Sequence, residues 1–273
     1  MHKNIDVLNR ADLLNQMKIK LTLNLDKLKE QFNSNNPSTS TKFFILDNLL
    51  DADTALILFN TVNSDRVGIN WKKKNTFREK KSGFKNIKAS HINLINIFES
   101  FHDSEIAKII SEITNIDNLR HDSSLYAAGI SKMEKNDFLN PHIDNSHDGS
   151  RKFYRRLNLL FYIDPNITSI DGGNLELWDN NVKNSIKLYP KFNRLIIMET
   201  NRSSWHSVDS IKSENKQRLC ITNYFFSKES PEEYEYYNVT SFLGRPEQKM
   251  IRVISKLDNF LRQTFSDIRR FSR

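Results

Sequence analysis

Between Phe138 and Arg218 every apolar run is short and is closed by turn residues, which confines this stretch to β-strands and makes it the strongest constraint on the fold. Leu157 to Ile163 reads as a buried strand: Asn158, Leu160 and Tyr162 share one face, and Leu157, Leu159, Phe161 and Ile163 share the other. Gly172-Gly173 gives the backbone freedom for a turn before Asn174 to Trp178, and Pro190-Lys191-Phe192-Asn193 turns the chain into a strand ending near Met198. In the next strand Arg218, Cys220, Thr222 and Tyr224 point one way, with Leu219, Ile221 and Phe225 opposite. Many short strands joined by such turns predict a double-sheet jelly roll.

The same stretch carries chemistry. Residues i and i+2 of a strand share a face, so Pro141-His142-Ile143-Asp144 can offer an imidazole and a carboxylate to one ion. His206 follows the apolar run Leu195-Ile196-Ile197-Met198 and is the best-placed third ligand. Two imidazoles and one carboxylate make the facial triad of non-haem Fe(II) oxygenases, which leaves positions open for co-substrate and dioxygen. A zinc hydrolase could use the same ligands with bound water, and a jelly roll also hosts binding proteins without catalysis. An inward Arg218 on an apolar strand discriminates, because a buried guanidinium is costly unless an anion such as a dicarboxylate answers it. His147 lies in a turn-rich segment, and His91, His102 and His121 read as packing or surface residues.

The ordered text Pro141-His142-Ile143-Asp144-Asn145, Arg155-Arg156-Leu157-Asn158-Leu159-Leu160-Phe161-Tyr162-Ile163-Asp164, Asp171-Gly172-Gly173-Asn174-Leu175-Glu176-Leu177-Trp178, Tyr189-Pro190-Lys191-Phe192-Asn193-Arg194-Leu195, Trp205-His206-Ser207-Val208 and Gln217-Arg218 resembles the 2-oxoglutarate and Fe(II)-dependent oxygenases. Within them it is most similar to the prolyl-4-hydroxylase-like branch that includes the oxygen-sensing prolyl hydroxylases, and the likeness covers about residues 123 to 228. It implies an α+β fold: a double-stranded β-helix, cupin-like, with supporting helices on the N-terminal side and a C-terminal helix. It also implies Fe(II) held by His142, Asp144 and His206, with 2-oxoglutarate and dioxygen as co-substrates and ascorbate as a candidate auxiliary reductant. Arg218 would anchor the far carboxylate of 2-oxoglutarate, Tyr162 would hydrogen-bond it, and Thr222 is counted with them. The implied reaction decarboxylates 2-oxoglutarate to succinate and hydroxylates a prolyl or other amino-acid residue, or a polar small molecule; a carboxylate at Asp144 favours hydroxylation over halogenation. Two departures touch the co-substrate side: Asp164 stands for a common asparagine, and Lys132 lies near where relatives carry a second tyrosine.

The flanks support one catalytic unit over residues 1–273, with an N-terminal helical extension (1–40), the oxygenase domain (43–228) and a C-terminal extension (229–273). A helix is expected within 6–32, a strand at Phe43-Phe44-Ile45-Leu46, a helix capped by Asp51 or Asp53 and running to about Val62, and two support helices within 91–116. Ile69 to Phe84 reads as a solvated basic sheet edge, and Leu125 to Met133 as the start of the core sheet. From Arg245 to Phe271, Met250, Val253, Ile254, Leu257, Phe260, Leu261, Phe265 and Ile268 mark one face of a long helix; packing against the domain is the preferred reading over a homodimer contact or a membrane surface. The loops Glu134 to Asn140 and Asn145 to Arg155, with Tyr234, Tyr236 and Tyr237, are expected around the mouth and point to a polar, anionic substrate. Lysine and arginine exceed aspartate and glutamate by 41 to 33, but outside two short runs and the last helix they are scattered, so no nucleic-acid partner is expected. With no run of eighteen apolar residues, charges throughout the first thirty and Cys220 the only cysteine, the expected compartment is the cytoplasm.

Overall fold

The structure, a computed structural model, describes residues 5–271 except Ser123 and Tyr126, with side chains through Ile268. Asn9 accepts a hydrogen bond from Ala11 N and starts α1 (Arg10–Leu23), which is followed by α2 (Leu25–Asn33). The break falls at Asn24, whose side-chain amide turns back to Lys20 O. Leu13, Met17, Leu21, Leu28 and Phe32 are buried while Ile19 and Leu23 are exposed, so the helical period prevails over the strand-like alternation there. Asp51, at the end of the turn after β1 (Phe43–Asp47), accepts from Thr54 N and caps α3 (Ala52–Asn63). A hairpin of β2 (Lys72–Asn75) and β3 (Glu79–Phe84) precedes α4 (Ile92–Phe101) and α5 (Ser104–Thr114), which meet near Asp103 as the sequence predicts.

The strands β4 (Arg120–His121), β5 (Gly129–Met133), β6 (Phe138–Ile143), β7 (Tyr154–Tyr162), β8 (Leu175–Trp178), β9 (Ser185–Leu188), β10 (Arg194–Glu199), β11 (His206–Val208), β12 (Arg218–Ser227) and β13 (Ser241–Phe242) complete the sheet before α6 (Lys249–Phe271). The core sheet begins at Gly129; within the expected Leu125 to Met133, Leu125 and Ala127 take positive φ, and Tyr126 lies outside the described residues. Pairing is antiparallel in the order β1-β10-β7-β12-β5-β3-β6-β11-β8-β9, so one sheet curls over on itself as the double-stranded β-helix the sequence implies. The convex side of β10, β7 and β12 carries Leu157, Leu159, Phe161, Leu195, Ile197, Leu219 and Ile221 into the main core, packed on α1 to α5. Leu160, Tyr162, Leu175, Leu177, Ile196, Met198 and Cys220 line the concave side.

Two expectations are corrected. The basic stretch ending at Phe84 is a sheet edge only in its first half: β2 is exposed and pairs with β3 alone, as expected, whereas β3 pairs through Glu79 and Lys80 with β6 and through Ser82 to Phe84 with β5, joining the two halves of the sheet. Its lysines hide this in the sequence, because long basic side chains can cover a buried backbone while their ammonium groups reach out, and Glu79 holds two of them, Lys74 and Lys81. The second correction concerns α6, which docks by its polar face. Asn259 accepts from Phe242 N at 2.9 Å and donates to Phe242 O at 2.7 Å, Gln263 accepts from Val239 N at 3.1 Å, and Arg78 pairs with Asp258. The segment beneath offers open backbone groups, and amides answer those better than leucines do. The apolar face looks outward, with Met250, Val253, Ile254, Leu257, Phe260, Leu261, Phe265 and Ile268 between 45 and 79% exposed. Among the described residues no helix is long and apolar enough to cross a membrane.

Candidate active site

β6 and β11 run side by side with His206 opposite His142, and Asp144 follows immediately after β6. One ligand atom from each of His142, Asp144 and His206 lies within 4.8 Å of the other two, a spacing that one metal ion can bridge. The imidazole tautomers are set from behind. Nδ1 of His142 faces Asn140 O at 3.1 Å and Nδ1 of His206 faces Ser204 O at 2.9 Å, so each Nδ1 carries the hydrogen and each Nε2 presents a lone pair. Those Nε2 atoms sit 3.7 and 3.9 Å from the Asp144 oxygens. Burial, then the neighbouring His206, pushes the His142 imidazole down to about 3 and keeps it neutral, the form a metal takes. Burial alone would raise the Asp144 carboxyl; Arg155 and the two imidazoles overcome it and hold it at about 2.

Arg155 was not singled out in the sequence. It opens β7, is 2% exposed, brings Nη1 within 3.2 Å of Asp144 Oδ2 and lies over the Tyr224 ring at 3.9 Å. Its Nε and Nη2 and the Asp144 Oδ2 have no hydrogen bond among the described residues, and a buried acceptor of this kind suits an ion. The signal that isolates Arg218, a guanidinium on an otherwise apolar strand, applies equally to the Arg155-Arg156 pair.

Arg218 is 3% exposed; its Nη2 donates to the Tyr162 hydroxyl at 3.2 Å, its guanidinium lies 4.9 Å from that ring centre, and its Nε has no hydrogen-bond partner among the described residues. Burial raises the Tyr162 phenol to about 12, so its hydrogen stays available to an acceptor. Gly173, at φ +74, makes room for this arginine: a Cβ there would stand 3.2 Å from Arg218 Cδ and 2.5 Å from Ile211 Cδ1. The Thr222 hydroxyl lines the cavity but donates to Gly129 O at 3.1 Å, which leaves it only lone pairs to offer. Lys132 does not line the cavity; it pairs with Glu134 at 3.2 Å and covers Trp71.

His142, Asp144, His206, Arg155 and Arg218 all line one cavity of about 580 Å³, the size of a small-molecule site. Its mouth differs from expectation. Lys72, Lys74, Arg78 and Lys81 from the hairpin and Lys85 just after it line it, with Arg262 from α6 and Glu79 the acidic residue among them, whereas Tyr234, Tyr236 and Tyr237 are absent from its lining and the 145–155 loop contributes only its two ends. The excluded histidines stay apart: His147 packs against Tyr154 and Tyr237, His102 stacks on His121 at 4.6 Å, and His91 caps α4.

Residues 128–226 match the model of the 2OG-Fe(II) oxygenase superfamily. The chain is 30% identical over 148 residues to prolyl 3-hydroxylase OGFOD1 of Xenopus laevis, covering 52% of itself and 26% of that protein, so it spans about a quarter of the length of this curated relative. Among solved structures it is similar to the Trichoplax adhaerens prolyl hydroxylase in complex with a peptide fragment of the hypoxia inducible factor oxygen degradation domain, with a TM-score of 0.52 at 19% identity over 79% of this chain and 92% of that one. A Pseudomonas putida prolyl-4-hydroxylase gives a TM-score of 0.52 at 12% identity over 77% and 100%.

Proposed function

We propose, from the premise that residues 128–226 are a 2OG-Fe(II) oxygenase domain, that this chain is an Fe(II)- and 2-oxoglutarate-dependent hydroxylase in which His142, Asp144 and His206 hold the iron. When bound, iron with 2-oxoglutarate and dioxygen supplies the oxidation, placing one oxygen atom in succinate and the other in a C–H bond of the substrate. The protein binds, orients and shields. The observation that carries this reading is Arg218, a fully buried cation whose only hydrogen-bond partners among the described residues are a neutral phenol and a thioether, on the wall of the cavity that holds the triad. A carboxylate there would receive a charge-assisted fork from Arg218 and a hydrogen from Tyr162. A zinc hydrolase with the same three ligands leaves that cation without a purpose. Arg155, on the same cavity wall, keeps Asp144 ionised.

The cationic mouth favours a substrate with negative charge near the oxidised carbon. A prolyl residue is the first candidate, since OGFOD1 is named as a prolyl hydroxylase and the Trichoplax adhaerens enzyme was solved with a peptide; another amino-acid residue or a polar small molecule is the next. The test is incubation with Fe(II), 2-oxoglutarate, ascorbate and pools of acidic peptides or anionic metabolites. The expected product gains one oxygen by mass spectrometry, with one succinate per product. Cleavage of a substrate bond without consumption of 2-oxoglutarate would establish the hydrolase instead.

A further inference from the structure

We infer that the outward face of α6 is the contact between two copies of this chain related by a two-fold axis. Met250, Val253, Ile254, Leu257, Phe260, Leu261 and Phe265 form it, each 45–79% exposed. At about 150–250 Å² for a large side chain, the seven expose on the order of 800 Å², which matches the ~800 Å² per partner of a standard interface and exceeds the few hundred Å² that monomers usually leave open. The helix cannot roll this face inward, because Asn259, Gln263 and the Arg78–Asp258 pair hold the opposite side on the domain.

The spacing identifies a helix as the occupant. Met250, Ile254, Leu257, Leu261 and Thr264 advance by alternating steps of four and three, the seam along which two helices pack lengthwise, with Val253 and Phe260 widening one flank and Phe265 the other. Lys249 and Lys256 stand outside the seam, so pairing buries neither charge. A second copy brings the same stripe and the same spacing, which is what an isologous interface requires.

Sedimentation equilibrium of the full chain at micromolar concentration is expected to give twice the chain mass. Leu257→Glu with Leu261→Glu should return the single-chain mass with unchanged circular dichroism, since both side chains point away from the fold. A wild-type chain of single mass overturns the proposal, as does a charge variant that remains dimeric. If the single-mass chain also co-sediments with phosphatidylserine vesicles, the face is a membrane contact instead. Should the charge variant not fold, Leu257→Cys decides. Leu257 is at the middle of the stripe, near the axis for either helix direction, and Cys220 is buried, so mild oxidation must yield a linked pair of chains. Failure to link overturns the proposal.

Discussion

The two faces of β7 share a backbone and differ in everything else. Leu157, Leu159 and Phe161 point outward into a dry core against the helices, where Phe161 meets Phe101 edge to face at 5.9 Å. Asn158 and Tyr162 point inward to a surface where, among the described residues, Asn158 Oδ1 and Arg218 Nε lack hydrogen-bond partners and Asp144 is balanced by the buried Arg155. Unpartnered buried groups subtract from stability, so the inner face is tolerable only because the outer face over-stabilises the strand. One face holds the fold; the other is held ready for ligands.

Substitutions that separate folding from turnover test this division. The largest effect should come from Asp144→Ala, which removes a proposed ligand on the inner face. Fe(II)-dependent succinate formation should fall by more than the roughly 10–100-fold typical of a group that only orients a ligand, with the circular dichroism kept and the melting temperature lowered by the loss of Arg155's buried partner. A variant that keeps turnover, or loses its fold, would erase the distinction. Phe161→Ala, on the outer face of the same strand, should cost about 3–5 kcal/mol in denaturant unfolding and leave the Michaelis constant for 2-oxoglutarate unchanged in whatever remains folded.

His102 sharpens the comparison from the outer side through pH. It faces Asn223 Oδ1 at 3.0 Å, and burial, only partly opposed by that hydrogen bond, pushes it down to about 4 from 6.5. Between those values the unfolded chain binds the proton and the folded chain does not, so stability is full above pH 6.5 and is lost as pH falls toward 4. The loss should reach about 3 kcal/mol at most, and His102→Gln should flatten the profile in a pH series of urea midpoints. The smallest effect belongs to Arg218→Ala: the apparent Michaelis constant for 2-oxoglutarate should rise roughly ten- to a hundredfold, as expected for a charge-assisted pair worth about 1.5–3 kcal/mol. An unchanged constant in a folded variant would move the anion site elsewhere.

What the sequence disclosed follows the same division. The i, i+2 spacing of His142 and Asp144 and the alternation in β7 are local and survive in the text, so the strand faces and two candidate ligands could be read directly, while His206 entered only as the best-placed third, with the resemblance behind it; the structure brings the three together. Arg155 was missed because its role depends on contact with Asp144, which follows another strand, β6. Within the β2–β3 hairpin, β3 was misplaced for a related reason: charge pattern reports solvent, and Glu79 pairs with Lys81 and Lys74 on a strand whose backbone is enclosed on both sides. In α6 the periodicity marked the apolar face correctly but could not say which face would dock, since Phe242 and Val239 present backbone groups to it.

The pairing of His206 with His142 has one more consequence, for how the chain reaches its fold. Side chains alternate across a sheet, so a slip of one residue between β6 and β11 would turn one imidazole to the opposite face and disperse the three ligands. The strands are far apart in sequence and their pairing irregularity lies just beyond the histidines, so no short turn fixes their register. A divalent ion held by the three, as proposed, would bind only the correctly paired chain and, by mass action, draw the population toward that alignment. The ion thus proofreads the sheet, and refolding yield should depend on whether metal is present while β11 finds its place.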